Sequence, residues 1–339
     1  MLDDFNRSNN VVVGAPAGNG TQTWMETETA GSNDYRIRIE NNMLVMGSHN
    51  NAGTGSSGLE QISYNADGLY ATTFNQASGN LTWSFNFRQS RVGLSGFGAT
   101  TYGIAYVLGS THETFTHPAA NGYAIVMGNS GSPDPVRLVR FANGLTANSK
   151  VTDILAASTE TNETAYYSIK VTFDPCSKSW SLQVRNDGSN GFADPATVTS
   201  TPLTATDQFF TNTNLNFTGA AYNHGTVSVT AFFDNISVPT ATATAVDYVW
   251  TGAASTDFEN PENWSPSRTC FRTSDKLHFD SGKPEFITNV TSQTFSSFWV
   301  KNHTVLTLTA KTGATQTLSI LDGDNQDLLV EAGSSLIID

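Results

Sequence analysis

Hydrophobic and polar residues alternate with a period of two along much of the first 238 positions. The clearest case is Leu81 to Arg88, where Leu81, Trp83, Phe85 and Phe87 share one face and Thr82, Ser84, Asn86 and Arg88 the other. One face of such a strand is core and the other is wet. Tyr35 to Met46 reads as a hairpin, because Asn41 and Asn42 separate two strand-like runs and Asn tolerates the positive φ of a two-residue turn. A second hairpin pairs Tyr167, Ile169, Val171 and Phe173 with Trp180, Leu182 and Val184 around a turn at Asp174 to Lys178, and its next turn is Asn186 to Gly188. Further strands are predicted at Tyr102 to Leu108, Gly122 to Met127, Val136 to Phe141 and Thr226 to Val238. In the last of these the apolar phase shifts near Phe233, which predicts a bulge or a change of packing partner. Only Val151 to Ala157 has helical spacing. Many short antiparallel strands separated by Gly, Pro, Asn and Ser clusters predict a two-sheet sandwich.

The segment Pro239 to Val246 is a Thr/Ala repeat with no large side chain before its final Val, suited to an extended linker. The expected organisation is a sandwich over residues 1–238, a linker over 239–246 and a β-rich repeat-type unit over 247–339. In that last unit, apolar runs recur at Val305 to Leu308, Leu318 to Leu321, Leu328 to Val330 and Leu336 to Ile338. Their spacing fits a β-solenoid rung series or a small sandwich. The sequence stops at Asp339 directly after a strand, so a piece of something longer is expected.

Composition narrows the setting. Charged residues are only 14% of the 339, and the polar surface falls to Asn, Thr, Ser and Gly, which disfavour helices and suit strands joined by turns. The net charge of −13 repels phosphate backbones and anionic head groups, so nucleic acid is not an expected partner. No apolar stretch is long enough to predict membrane insertion, and Met1 to Asn10 lacks the apolar core of an export signal. If the protein is exported, the signal has been removed. Cys176 and Cys270 either pair with each other or are two unrelated thiols; spacing does not decide between them.

Candidate chemistry is sparse. The two-carboxylate strand motif Glu-x-Asp-x-x-Glu of β-glucan hydrolysis is absent, and Glu113, Glu160, Glu163 and Glu259 stand alone. There is no Gly-x-Ser-x-Gly elbow and no zinc spacing among the six histidines. His112 and His117 flank Glu113, but three residues in one loop are an incomplete zinc set. Structural calcium is the more credible ion, because extracellular sandwiches tie strand ends together through oxygen ligands. Asp4 and Asp234 are the candidate ligands, with Asp3 and Asn235 beside them; the alternative is that both carboxylates accept backbone hydrogen bonds at strand ends. Asp322 to Asp327 also collects carboxylates and is explained by a turn. Trp83 and Trp180 lie in phase with apolar neighbours and are expected in the core, whereas Trp24, in a polar stretch, is either exposed for sugar contact or covers a sheet edge. The polar loops Ser48 to Gly58 and Ser110 to Asn121 are where a partner contact is expected.

Leu2-Asp3-Asp4-Phe5-Asn6-Arg7, the run Asn121 to Gly128 continuing to Val136 to Phe141, and Phe233-Asp234-Asn235-Ile236-Ser237-Val238 resemble concanavalin A-like (laminin G-like) jelly-roll modules of large secreted Bacteroidota proteins. Tyr248 to Gly252, Asn260 to Pro266 and Ser274 to Asp280 resemble the opening of repetitive β-modules in the same kind of protein. The resemblance implies an all-β chain, a concanavalin A-like two-sheet jelly-roll sandwich followed by a smaller β-rich domain. It also implies export by a type IX route to the cell surface. The functional expectation is a non-catalytic, adhesin-like surface protein contacting a glycan or another cell-surface protein. The alternatives are a degenerate or unrecognised polysaccharide hydrolase and an architectural cap of a repeat array.

Overall fold

A computed structural model describes all residues except 17–21, 29–35, 48–57, 70–72, 78, 92, 94, 98–102, 130, 225–229, 241–244, 314 and 322–325. It divides into two compact units, one of Met1–Asn75 with Asn80–Thr240, the other of Ala241–Asp339 with Gln76–Gly79. In both, the regular secondary structure is almost wholly strand.

The first unit contains β1 (Met25–Thr27), β2 (Ile37–Glu40), β3 (Met43–Met46), β4 (Gly58–Asn65), β5 (Leu81–Gln89), β6 (Gly103–Ser110) and β7 (Gly122–Met127). It continues with β8 (Pro135–Phe141), β9 (Val151–Glu160), β10 (Tyr166–Asp174), β11 (Ser179–Gly188), β12 (Leu203–Thr206), β13 (Phe217–His224) and β14 (Ala231–Ser237). Two seven-stranded sheets result, ordered β1-β4-β13-β6-β7-β8-β9 and β12-β11-β10-β5-β14-β3-β2. All their pairings are antiparallel. This is the expected two-sheet jelly-roll sandwich.

Alternation decides what each face does. Trp83, Phe85 and Phe87 of β5 are fully buried; Trp83 stacks on Trp180 at 6.1 Å and Phe85 on Tyr106 of the other sheet at 4.2 Å, so both predicted core tryptophans lie between the sheets. The hairpin turn holds Asn41 and Asn42 at φ 53 and 60, while Tyr35, where that hairpin was expected to begin, lies outside the described residues. The phase shift near Phe233 is a register shift between Asp234 and Ser237, with Asn235 at φ 48.

Two expectations are corrected. Val151 to Ala157 is strand β9, not helix: its pairing with β8 slips between Leu138 and Val139, so that Leu155 and then Asp153 oppose consecutive residues. This bulge breaks the period of two and gives the segment helical spacing. Of the strand expected over Thr226 to Val238, Ala231–Ser237 is strand and Thr230 is not; Thr226 to Val229 lie outside the described residues, and the strand before them is Phe217–His224.

The sheets differ on their outer faces. Beyond the first lies a second apolar cluster, including Ala105, Val107, Val126, Val139 and Phe141 from the strands and Phe97, Phe115 and Leu145 from loops laid over them. Beyond the second sheet the strands present Thr82, Ser84, Asn86, Ser168, Lys170, Thr172, Ser181, Gln183 and Arg185, cross-strand neighbours in register. That part of the face is polar, while Phe232 of β14 and Val45 of β3 share the same side farther along.

The second unit comprises β15 (Asp247–Trp250), β16 (Trp264–Ser265), β17 (Lys276–Phe279), β18 (Pro284–Val290), β19 (Gln293–Phe295), β20 (Ser297–Val300), β21 (Val305–Ala310), β22 (Leu318–Ile320), β23 (Leu328–Val330) and β24 (Ser335–Ile338). Parallel ladders β15-β17-β20-β23, β18-β21-β24 and β19-β22 stack successive rungs, which selects the solenoid over a small sandwich. Antiparallel β16 closes the first rung. Beside it Arg268 is fully buried, paired with Asp275 at 2.7 Å and placed over Trp264 at 5.3 Å. Burial pushes the Asp275 carboxyl upward, against the pull of the Arg268 charge. The repeat Pro239 to Val246 includes 241–244, outside the described residues.

Candidate functional site

The ends of the sandwich chain meet as the candidate calcium residues require. Asp3 and Ile236 form an antiparallel bridge, with Leu2 N–H donating to the Ile236 carbonyl at 2.7 Å and Ile236 N–H to the Asp3 carbonyl at 2.7 Å. Asp3 is buried and its carboxylate is fully engaged. It accepts from Phe5 N–H at 2.9 Å, from Arg7 at 2.7 and 3.0 Å, and from the Trp24 indole N–H at 2.9 Å. Trp24 is thus 4% exposed, packed at 5.5 Å against Tyr64, and of its two sequence readings the exposed sugar platform is the one ruled out.

Asp4 accepts from Asn6 N–H at 3.1 Å and Asp234 from Asn235 N–H at 2.8 Å, the strand-end bonds that were the alternative to a metal. Burial first, then the charges of Asp4 and Asp3, push the Asp234 carboxyl up to about 7. Among the described residues, no group of three or more His, Cys, Asp or Glu side chains is placed to hold a metal ion. The carboxylates near Asp234 repel one another in a partly desolvated place, yet Asp3 is already spent on Arg7 and Trp24.

The loop Ser110 to Asn121 lies over the outer face of the first sheet as a fastened clasp. Gln61 on β4 donates to the Glu113 carbonyl at 3.0 Å and accepts from Phe115 N–H at 2.9 Å, and Phe115 fills the apolar cluster beneath. His112 and His117 stack with centroids 4.0 Å apart and planes 6° from parallel. Each Nδ1 accepts a backbone N–H, from Thr114 at 3.0 Å and Ala119 at 3.1 Å. Parallel rings aim their remaining lone pairs in parallel, so they do not converge on one ion. The other expected contact loop lies outside the described residues from Ser48 to Ser57, as do Asp322 to Asn325 of the carboxylate-rich turn.

The feature not anticipated in the sequence is a groove of about 340 Å³ on the outer face of the second sheet. Its floor is Thr82 and Ser84 of β5, Lys170 of β10 and Ser237 of β14; Asn80, Ala196, Val238, Pro239 and Thr240 form its walls. The floor residues meet because Ser84 pairs in register with both Lys170 and Ser237. Thr82 and Thr172 share a hydroxyl hydrogen bond at 3.0 Å. One row along, Asn86 donates to Ser168 at 2.8 Å and accepts from Asn235 at 2.8 Å. Ser168 donates to Asp187 at 2.6 Å, and Arg185 Nε donates to the same carboxylate at 2.6 Å. That buried network fixes the row beside the groove. Among the described residues the groove offers hydroxyls, one amide and one ammonium, and its lining includes no carboxylate.

No protein-family model matches the chain, and no curated protein matches it. Solved structures similar to it include peanut lectin with a 9mer peptide, at 12% identity and TM-score 0.35 over 68% of this chain and 97% of that one. They also include the Ca2+-bound VIP36 exoplasmic/lumenal domain, at 10% identity and TM-score 0.39 over 65% of this chain and 87% of that one. A third is the Bauhinia forficata lectin in complex with GalNAc, at 11% identity and TM-score 0.37 over 65% of this chain and 100% of that one. The two-sheet sandwich described here is established by its own strand order.

Proposed function

We propose that the first unit is a non-catalytic glycan-binding module of an adhesin-like protein displayed outside the cell, with the second unit as a stacked β-support. The observation that carries this reading is the groove on the second sheet. Hydroxyl, amide and ammonium groups held on paired strands suit the hydroxyls of a sugar, and about 340 Å³ lies at the lower end of ligand-pocket sizes. Hydrolysis of a glycosidic bond needs two carboxyl groups flanking it, and the described residues of the groove lining supply none. The low charge fraction and the absence of free thiols among the described residues suit an oxidising, extracellular setting.

A glycan-array screen of the whole chain tests it, run with calcium and again with chelator. Selective binding without turnover is expected. Cleavage of a bound oligosaccharide, or no binding under either condition, contradicts it. Calcium between Asp4 and Asp234 is a separate proposal, supported by the Asp234 carboxyl being lifted first by burial and then by the charges of Asp4 and Asp3. It requires that calcium raise the unfolding midpoint at pH 8, and that Asp4→Asn abolish the effect.

A further inference from the structure

We propose that the groove selects an anionic saccharide, one bearing a carboxylate or sulfate, and that Lys170 receives that charge. The inference rests on the glycan-binding reading and narrows it. Lys170 is half-buried and lines a groove whose other members, Asn80, Thr82, Ser84, Ala196, Ser237, Val238, Pro239 and Thr240, carry no charge. Carboxylates along the same face include Asp234, which lies opposite Asn86 and accepts from Asn235 N–H at 2.8 Å, and Asp187, which is bonded to Ser168 and occupied. Asp187 receives Arg185 Nε at 2.6 Å, the Ser168 hydroxyl at 2.6 Å and Ala193 N–H at 3.0 Å.

The chain has 30 acidic residues to 17 basic, so acidic partners are plentiful over its surface. Several cations on this unit take them: Arg7 pairs with Asp3, Arg36 with Glu60, Arg137 with Asp153 and Arg140 with Asp207, while Arg88 donates instead to the Glu163 carbonyl and the Tyr166 hydroxyl. Lys170, by contrast, is set among neutral hydroxyls. A partly desolvated ammonium in such a place lacks its counter-charge until a ligand brings one. Neutral hydroxyls around it bind sugar hydroxyls without competing for the cation. Asn86, which could otherwise reach toward this row, is committed to Ser168, Asn235 and the Ala193 carbonyl. An ammonium is a point charge without the bidentate fork of a guanidinium, so it accepts carboxylate and sulfate alike.

The test uses the full chain and three sets of probes: di- and trigalacturonate, their methyl-esterified neutral counterparts, and sulfated disaccharides. Binding to at least one acidic set is expected to exceed the neutral set by about tenfold or more, the worth of one charge-assisted hydrogen bond. The preference should weaken as salt rises. Lys170→Gln should erase the preference, weakening the acidic probes by about tenfold or more and the neutral probes by less, with the melting temperature unchanged, and Lys170→Arg should restore it. Uronate-only or sulfate-only preference identifies the source of the charge. Equal binding of neutral and acidic probes, unaffected by Lys170→Gln, overturns the anionic inference and leaves the glycan reading standing. Binding of none of these probes or of any arrayed glycan overturns both.

Discussion

Ser84 and Lys170 sit opposite each other on β5 and β10, in register, on the outer face of the second sheet. On the inner face of the same two strands, Phe85 pairs with Ile169 and Trp83 with Val171, all fully buried. One ladder thus anchors the core and presents a polar groove, and the core side fixes the groove side because successive residues of a strand point oppositely. The groove is therefore preorganised by packing, which spares a ligand the cost of ordering it.

Filling the groove should abolish binding without unfolding the protein. Ser84→Trp places a large side chain between Lys170 and Ser237, its cross-strand neighbours. Glycan affinity is expected to fall at least about tenfold, by analogy with loss of one good contact, with an unchanged far-ultraviolet spectrum. Retained affinity would move the site elsewhere.

Asp234 predicts a pH dependence of defined sign. Its carboxyl is lifted from 3.8 to about 7 by burial, then by Asp4 and Asp3. Between those values the native state holds a proton that the unfolded chain has released, so this residue's contribution to stability falls as pH rises and is flat above about 7. Asp234→Asn should therefore stabilise the protein at pH 8 relative to the parent and make little difference at pH 4. Urea midpoints of the two proteins at both values check this; a variant less stable than the parent at pH 8 would refute it.

Glu60 is wholly buried between Arg36 at 3.3 Å and His224 at 2.7 Å. Removing one partner of a buried ion pair leaves an uncompensated charge, at a cost of about 3–5 kcal/mol. Glu60→Ala should lose that much in chemical denaturation. A loss below about 1 kcal/mol, the level of an exposed pair, would show that the cluster is not held as described.

Gln61→Ala should release the clasp over the first sheet. It removes the bonds to the Glu113 carbonyl and Phe115 N–H, at about 1–3 kcal/mol for a buried backbone donor left unsatisfied. Hydrogen exchange should quicken at Phe115, and glycan binding by the second sheet should be unaffected. A drop in binding would implicate the loop.

Much of the fold was legible because burial on one face writes a period of two into the sequence. Leu81 to Arg88, Gly122 to Met127 and Val136 to Phe141 lie within β5, β7 and β8. Strand β13 was missed for a packing reason. Its Gly219 lies where an added Cβ would come within 2.0 Å of the Ile62 carbonyl oxygen, so close strand approach demands small residues there, and Gly-Ala-Ala carries little strand signal. Trp24 kept two readings in the sequence because its partner, Asp3, is distant along the chain. The meeting of the chain's start with β14, seen in the bridge of Asp3 with Ile236, was readable from the lie of terminal strands, while the engagement of the Asp3 carboxylate was not. The groove was hidden for a different reason: Thr82, Ser84, Lys170 and Ser237 come from three strands, and each alone is an ordinary wet position.

The most direct test of the central claim is to map the binding surface of the strongest glycan from the array by NMR, with isotope-labelled threonine and alanine methyl groups. Shifts concentrated at Thr82, Ala196 and Thr240, which line the groove, with Thr111, Thr114 and Ala119 of the clasp unmoved, are the predicted result. Shifts at the clasp with none in the groove would contradict it and place recognition on the first sheet.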